Sequence, residues 1–423
     1  MNVPPASDPR WLELASGNLK VHLNFMATKI LLTRIASIAA FDPATIPSGA
    51  RELHDLFKKN ARAANAQRDL TTIFGSQYRM GPAIYEVEEV TQELAEGRVF
   101  LLAGSETALR KLPPGNWIGG TAPLIYRNRP ELNGKQQIFA TEMPDFIKSI
   151  DIKVYEDAES LRNLYNDAPN NGFSIIIIPA SCPLHMAFAL NAPTYPGFAT
   201  RPVAGWISGV PFPEIDTVSA KVFSGHSAKA LTNAAVVMRV TLPQDKIAEV
   251  DVVNIFEPDS GDIITTEQDG FEFQSLCVNG IRTNFPRYIR THWSDRNLPL
   301  VANYHGVMVN SSFQMIDDKT GMAKFYAPLF KGIEYRVAKP VRDYEKKFLL
   351  SVPTTKAGST SFSFNCILND PLLKNLDVDL STIFMGPITF GEIAFQLLNQ
   401  TLVTVTIADA KPDQFNSSSA APF

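Results

Sequence analysis

VFLLAGSETALRKLPPGNWIGGT, residues 99–121, decides how this chain is read. VFLLAG (99–104) is a continuous apolar run of strand length, closed by a glycine. Two prolines then lead into GNWIGGT (115–121), which places three glycines in seven residues and reads as a turn. Either this turn is tight and nothing more, or its backbone approaches a ligand. Gly119 and Gly120 permit positive φ and close main-chain approach. Bare N–H groups at such a turn can hold an anion or a carboxylate. Asn116, Trp117 and Thr121 beside them either contact that ligand or pack and cap the turn.

The same alternation extends through most of the chain. Strand-like runs recur at QIFATEM (137–143), FSIIIIPA (173–180), AAVVMRVTL (234–242), EVDVVNIF (249–256), LPLVANY (298–304), GVMVNSSFQMI (306–316), KFLLSVP (347–353), SFSFNCIL (361–368) and TLVTVTIA (401–408). Helical stretches are expected at 144–150, 157–166 and 391–399. Before residue 85 the pattern is helical: Leu19, Leu23, Met26, Ile30 and Ile35 keep helix spacing, and a second helix is expected from Ser48. GNWIGGTAP (115–123) is echoed by AGWISGVPFP (204–213), a sign of two similar halves. The expected fold is α/β with mixed α+β layers. A helical N-terminal extension (1–85) precedes two similar halves with mixed sheets (86–245 and 246–410), and a loose polar tail follows (411–423).

Composition narrows the function classes. The chain has 423 residues, 45% hydrophobic and 19% charged, with formal net charge -4, so nothing favours a polyanionic partner such as nucleic acid. The most membrane-like window, 21–41, carries Lys29 and Arg34 and reads as an amphipathic helix instead of a span. Cys182, Cys277 and Cys366 lie far apart, with no CxxC spacing, which fits reduced thiols and a cytoplasmic setting. Cys182 and His185 have metal-ligand spacing without a second pair, and His226 and His305 are isolated haem-ligand candidates. No Walker loop, HExxH, GxGxxG or nucleophile elbow exists.

Four stretches together resemble the FIST sensory domain over residues 90 to 408: residues 99–121, GDIITTEQDGFEFQSLCVNGIRTNFPRYI (261–289), SFSFNCILND (361–370) and GPITFGEIAFQLLNQTLVTVTI (386–407). The resemblance is to a divergent member. The cysteine and the Gly-Glu of the family's first glycine loop are absent, and Ile367-Leu368 stands where Gly-Arg often follows Phe-Asn-Cys. It implies a bilobed α/β domain that binds a small molecule, usually in bacterial signalling, with haem a cofactor in some members.

On this reading a ligand cleft between the two halves is lined by Asn116, Trp117, Gly119, Gly120, Thr121, Asn365, Cys366, Gly391, Glu392, Asn399 and Thr401. Glu392 at an expected helix start either caps that helix or receives a ligand amine. Asn399 and Thr401 either end the helix or bind, and Asn365 in an apolar strand needs partners. The expected function is small-ligand binding and sensing, without enzymatic activity and with no fused signalling output. The rivals are a self-assembling protein that oligomerises through residues 19–40, a haem or nitric-oxide sensor, and an enzyme using Cys182 or Cys366.

Overall fold

Long apolar runs that alternate with short polar turns cannot each bury two faces alone, so they stack as layers. A computed structural model describes residues 80–123, 136–215, 217–304, 307–353, 359–373 and 385–410. The expected N-terminal helices, the oligomerisation segment 19–40, His305 and the tail 411–423 lie outside the described residues. The described residues fall in one compact unit. The fold is α+β with mixed sheets. Among the described residues no helix is long and apolar enough to cross a membrane.

Sheet one orders its six strands Ala83–Glu86, Gln137–Glu142, Phe100–Gly104, Trp117–Thr121, Val222–Ser224 and Lys229–Leu231. Sheet two runs Gln396–Leu398, Gly391–Ala394, Val203–Ser208, Gly172–Pro179, Ala235–Thr241 and Ser149–Tyr155. Sheet three runs Lys246–Val253, Leu402–Asp409, Thr360–Cys366 and Ile388–Thr389. The 245/246 boundary thus falls between strands of different sheets, yet the hairpin at 391–398 returns to extend sheet two. Sheet four contains Ile281–Asn284, Leu300–Tyr304 and Val307–Ser311, and sheet five is Gly270–Phe273, Met322–Leu329 and Phe313–Asp317.

Each of the first three sheets holds one parallel pair: Phe100–Gly104 with Trp117–Thr121, Gly172–Pro179 with Val203–Ser208, and Thr360–Cys366 with Ile388–Thr389. Parallel neighbours need a crossover. The helices Glu106–Leu109 and Pro183–Asn191 lie in the first two crossovers, and the 3-10 helix Ile367–Leu373 in the third. The central core joins Leu101 and Ile118 of sheet one, Ile175 and Ile177 of sheet two, and Phe364 and Val405 of sheet three. Helix Val87–Ala95 covers the outer face of sheet one, where Val90 and Leu94 meet Phe100 and Trp117. Helix Pro183–Asn191 covers sheet two through Leu184 and Phe188.

Four local expectations are corrected. GNWIGGT is not a turn, because Trp117–Thr121 is an inner strand between a parallel and an antiparallel neighbour. Its glycine serves close layer packing: a Cβ on Gly120 would sit 2.9 Å from both Ile177 Cγ2 and Ser208 Cβ. The expected helix at 391–399 is a β-hairpin, Gly391–Ala394 with Gln396–Leu398, turned at Phe395 with φ 61°. The tertiary partners decide it: residues 391–394 pair with Val203–Ser208, and the Tyr165 hydroxyl donates to the Phe395 carbonyl. The expected strand at 347–353 lies in helix Tyr344–Ser351, where Tyr344 and Phe348 stack one turn apart at 5.6 Å. Residues 144–150 turn and enter strand Ser149–Tyr155 instead of forming a helix.

Candidate functional site

Side chains opposite one another on paired strands share a face. Glu392 is opposite Trp206, and Trp206 stacks on Phe364 with ring centroids 4.9 Å apart. Glu392 therefore points into the layer between sheets two and three, where it is 0% exposed. This replaces the expectation that it caps a helix. Thr389 Oγ1 lies 3.0 Å from its Oε1, Thr401 Oγ1 2.9 Å from Oε2, and the Thr401 N–H reaches Oε2 at 3.3 Å. The Cys366 side chain also bonds to it. Burial outweighs these bonds and pushes the carboxyl up to about 8.

A protonated Glu392 also completes the local hydrogen-bond count. Thr389 has one hydroxyl hydrogen and two acceptors in reach, Glu392 Oε1 and the Asn365 carbonyl at 3.2 Å. If the acid donates to Thr389, the Thr389 hydroxyl is free to donate to Asn365. Behind it, Asn369 Nδ2 donates to Asn365 Oδ1 and to the Thr401 carbonyl, both at 3.0 Å, and the Tyr344 hydroxyl donates to Asn369 Oδ1 at 2.9 Å. Asn365, Cys366, Glu392 and Thr401 are thus brought together in one buried hydrogen-bonded network.

The open space lies next to that network. A cleft of about 90 Å³ is bordered by Gly391, Leu397 and Asn399 from the hairpin and its exit, by Ser181, His185 and Met186 from the second crossover, and by Lys324 and Tyr326 of sheet five. Asn399, 1% exposed, is held by the Ser312 N–H, which donates to its Oδ1 at 2.8 Å, while its Nδ2 has no partner among the described residues. Gln400, with φ 56°, accepts from Ser312 Oγ at 2.6 Å and donates to the Asn297 carbonyl at 3.0 Å. These bonds fix the turn that presents Asn399.

Cys182 and His185 take different roles from a metal pair. Cys182 Sγ accepts the His185 N–H at 3.3 Å and caps helix Pro183–Asn191. His185 Nδ1 accepts the Ser181 N–H at 3.2 Å, and burial pushes the imidazole down to about 4. The ring is therefore neutral at pH 7, with its proton on Nε2. His226 is exposed. Among the described residues no group of three or more His, Cys, Asp or Glu can hold a metal. Burial raises both the Cys182 and the Cys366 thiol, and the nearby Glu392 raises Cys366 further, the reverse of what activates a nucleophile.

The first glycine segment stands apart from the cleft. Trp117 is 0% exposed, stacks on Phe223 at 6.4 Å and donates Nε1–H to the Pro113 carbonyl at 2.9 Å, so its ring has no free face for a ligand. Thr121 Oγ1 accepts the Lys221 N–H at 2.9 Å. Asn116 is half-buried, and its carbonyl accepts the Phe100 N–H at 3.0 Å. Gly119 is buried, and Gly120 reaches the network only through its contact with Trp206 and Ser208. Sequence reasoning missed Lys324, Tyr326, Thr389, Asn369 and Tyr344. Thr389 and Asn369 lie inside the quoted stretches 386–407 and 361–370 without being singled out, and Lys324, Tyr326 and Tyr344 lie outside all of them and reach the site only through the fold.

No curated protein matches this chain. A family model described as "Family of unknown function (DUF6976)" matches residues 85–408, well over half of the sequence and nearly all of the described layers, so the chain belongs to that family.

Proposed function

We propose that the cleft is a small-molecule site and that the chain is a ligand-binding protein. The observation that carries this reading is convergence: Ser181, Lys324 and Asn399, more than two hundred positions apart at the extremes, border one cleft backed by a bonded polar network. Ligand sites set a few fixed polar groups among apolar ones, and this cleft places Ser181, Lys324 and Asn399 beside Ile207, Phe271, Phe390 and Leu397. The resemblance to FIST domains agrees with the reading and suggests a sensory role. Occupancy can signal only by favouring one arrangement of the hairpin against sheet five over another.

The test uses Met186, which is 36% exposed at the rim of the cleft, so Met186→Trp can obstruct it without repacking the core. Native mass spectrometry of the freshly purified full chain is expected to show a bound small molecule that Met186→Trp lacks at unchanged melting temperature. A small-molecule adduct carried equally by both proteins would place binding elsewhere and overturn the reading.

A further inference from the structure

The polar groups around the cleft differ in charge, and that difference bears on what it admits. This inference rests on the reading of the cleft as a binding site. Among the described residues Asn399 Nδ2 is buried without an acceptor, and an unfilled buried donor is costly to leave so. The assignment of that atom is not arbitrary: the Ser312 N–H requires the amide oxygen on the other branch. His185 offers a second uncharged donor, Nε2–H, because Nδ1 is taken by the Ser181 N–H. The bordering cation is Lys324, and it is already shared between Glu272 at 3.3 Å and Asp317 at 3.2 Å. Much of the remaining wall is apolar, including Ile207, Phe271, Phe390 and Leu397.

We infer that the cleft takes a small, mainly apolar molecule carrying an uncharged carbonyl, an amide or a ketone, whose oxygen accepts from Asn399 Nδ2. A carboxylate brings an acceptor but no counter-charge is free to meet it, and desolvating it there is unfavourable. An amine brings a cation but no acceptor for the Asn399 donor, and the bordering Glu272 carboxylate is already paired with Lys324. A hydrocarbon leaves Asn399 unpaired.

Isobutyramide, isobutyrate and isobutylamine share one carbon skeleton and separate these cases. Saturation-transfer NMR titrations on the full chain at pH 7 are expected to show isobutyramide binding at least about tenfold more tightly than the other two, the scale of one well-placed hydrogen bond. Binding is lost in Met186→Trp. Asn399→Asp keeps the acceptor for Ser312 and removes the donor, and it weakens isobutyramide by about tenfold. If isobutyrate or isobutylamine binds as well as the amide and Met186→Trp still blocks it, the carbonyl inference falls while the cleft stands. If Met186→Trp changes none of the three, both fall. The probe ratios on the unmodified protein decide the matter even where Asn399→Asp fails to fold.

Discussion

Two strands share the letters Trp-Ile and play opposite parts. Trp117 and Trp206 each sit on the second strand of a parallel pair, each with an antiparallel neighbour on the far side. Trp117 points outward to helix Val87–Ala95, while Trp206 points inward to the central core. Their isoleucines are reversed: Ile118 is inward and Ile207 outward. In a strand, one position of offset exchanges the two faces. The outward tryptophan completes its hydrogen bond with Pro113, but the inward one has no acceptor for Nε1 among the described residues. Only beside the inward one does a neighbouring strand bring a carboxyl, Glu392 opposite Trp206, where the strand next to Trp117 brings Phe223. The repeated motif is thus structural in one copy and borders the polar network in the other.

The largest expected effect follows from that carboxyl. Glu392 has its folded-state value raised to about 8 from an ordinary 4.5, so between those values the native state holds a proton that the unfolded chain has released. The stability that this proton contributes is therefore full below pH 4.5, is lost as pH rises, and is gone above about 8. The swing is of order 4 kcal/mol. His185, lowered by burial from 6.5 to about 4, acts in the opposite sense as pH rises to 6.5, and burial raises Cys366 and Tyr344, so the net decline from Glu392 shows between about pH 6.5 and 8. Urea titrations between pH 6.5 and 8 should show the decline, and Glu392→Gln should remove it. A parallel decline in the variant would remove Glu392 as its source.

The layer contact next to Trp206 gives the second effect. Gly120→Val drives a branched side chain into Ile177 and Ser208, at a cost of about 3 kcal/mol. Gly119→Ala meets the Leu102 carbonyl at 3.2 Å and should cost about 1 kcal/mol. Equal costs from chemical denaturation would mean that Gly120 is not the tighter point. The smallest effect isolates the two indoles. Trp117→Phe and Trp206→Phe each leave similar space, but only the first strands a part-buried carbonyl. It should be the more destabilising by about 1 kcal/mol, and a reversed order would break the comparison.

Much of the layered fold was legible from residue order. The runs 99–104, 137–143, 173–180, 234–242 and 401–408 are strands within a residue or two of the expected bounds. The segments around FNC, GEI and NQT do meet, and Glu392, Cys366 and Thr401 touch. The misreadings have one physical source. GEIAFQLLN has no Gly or Pro at its turn and carries good helix formers, but its pairing partners lie nearly two hundred positions upstream. KFLLSVP is a short apolar run, whose period does not separate strand from helix, and Tyr344 and Phe348 settle it by stacking.

Residue order alone determined that this chain builds mixed layers of strands and helices, because apolar runs of strand length between turn signals leave few other ways to shed water. It also singled out Asn365 and Cys366 as polar groups in an apolar strand, and Glu392 and Asn399 at the ends of an expected helix. The tertiary structure decided which of them is sealed and which faces open space, and on which side each tryptophan lies. Those outcomes depend on register and on partners remote in sequence, and a one-residue shift in pairing would have exchanged them.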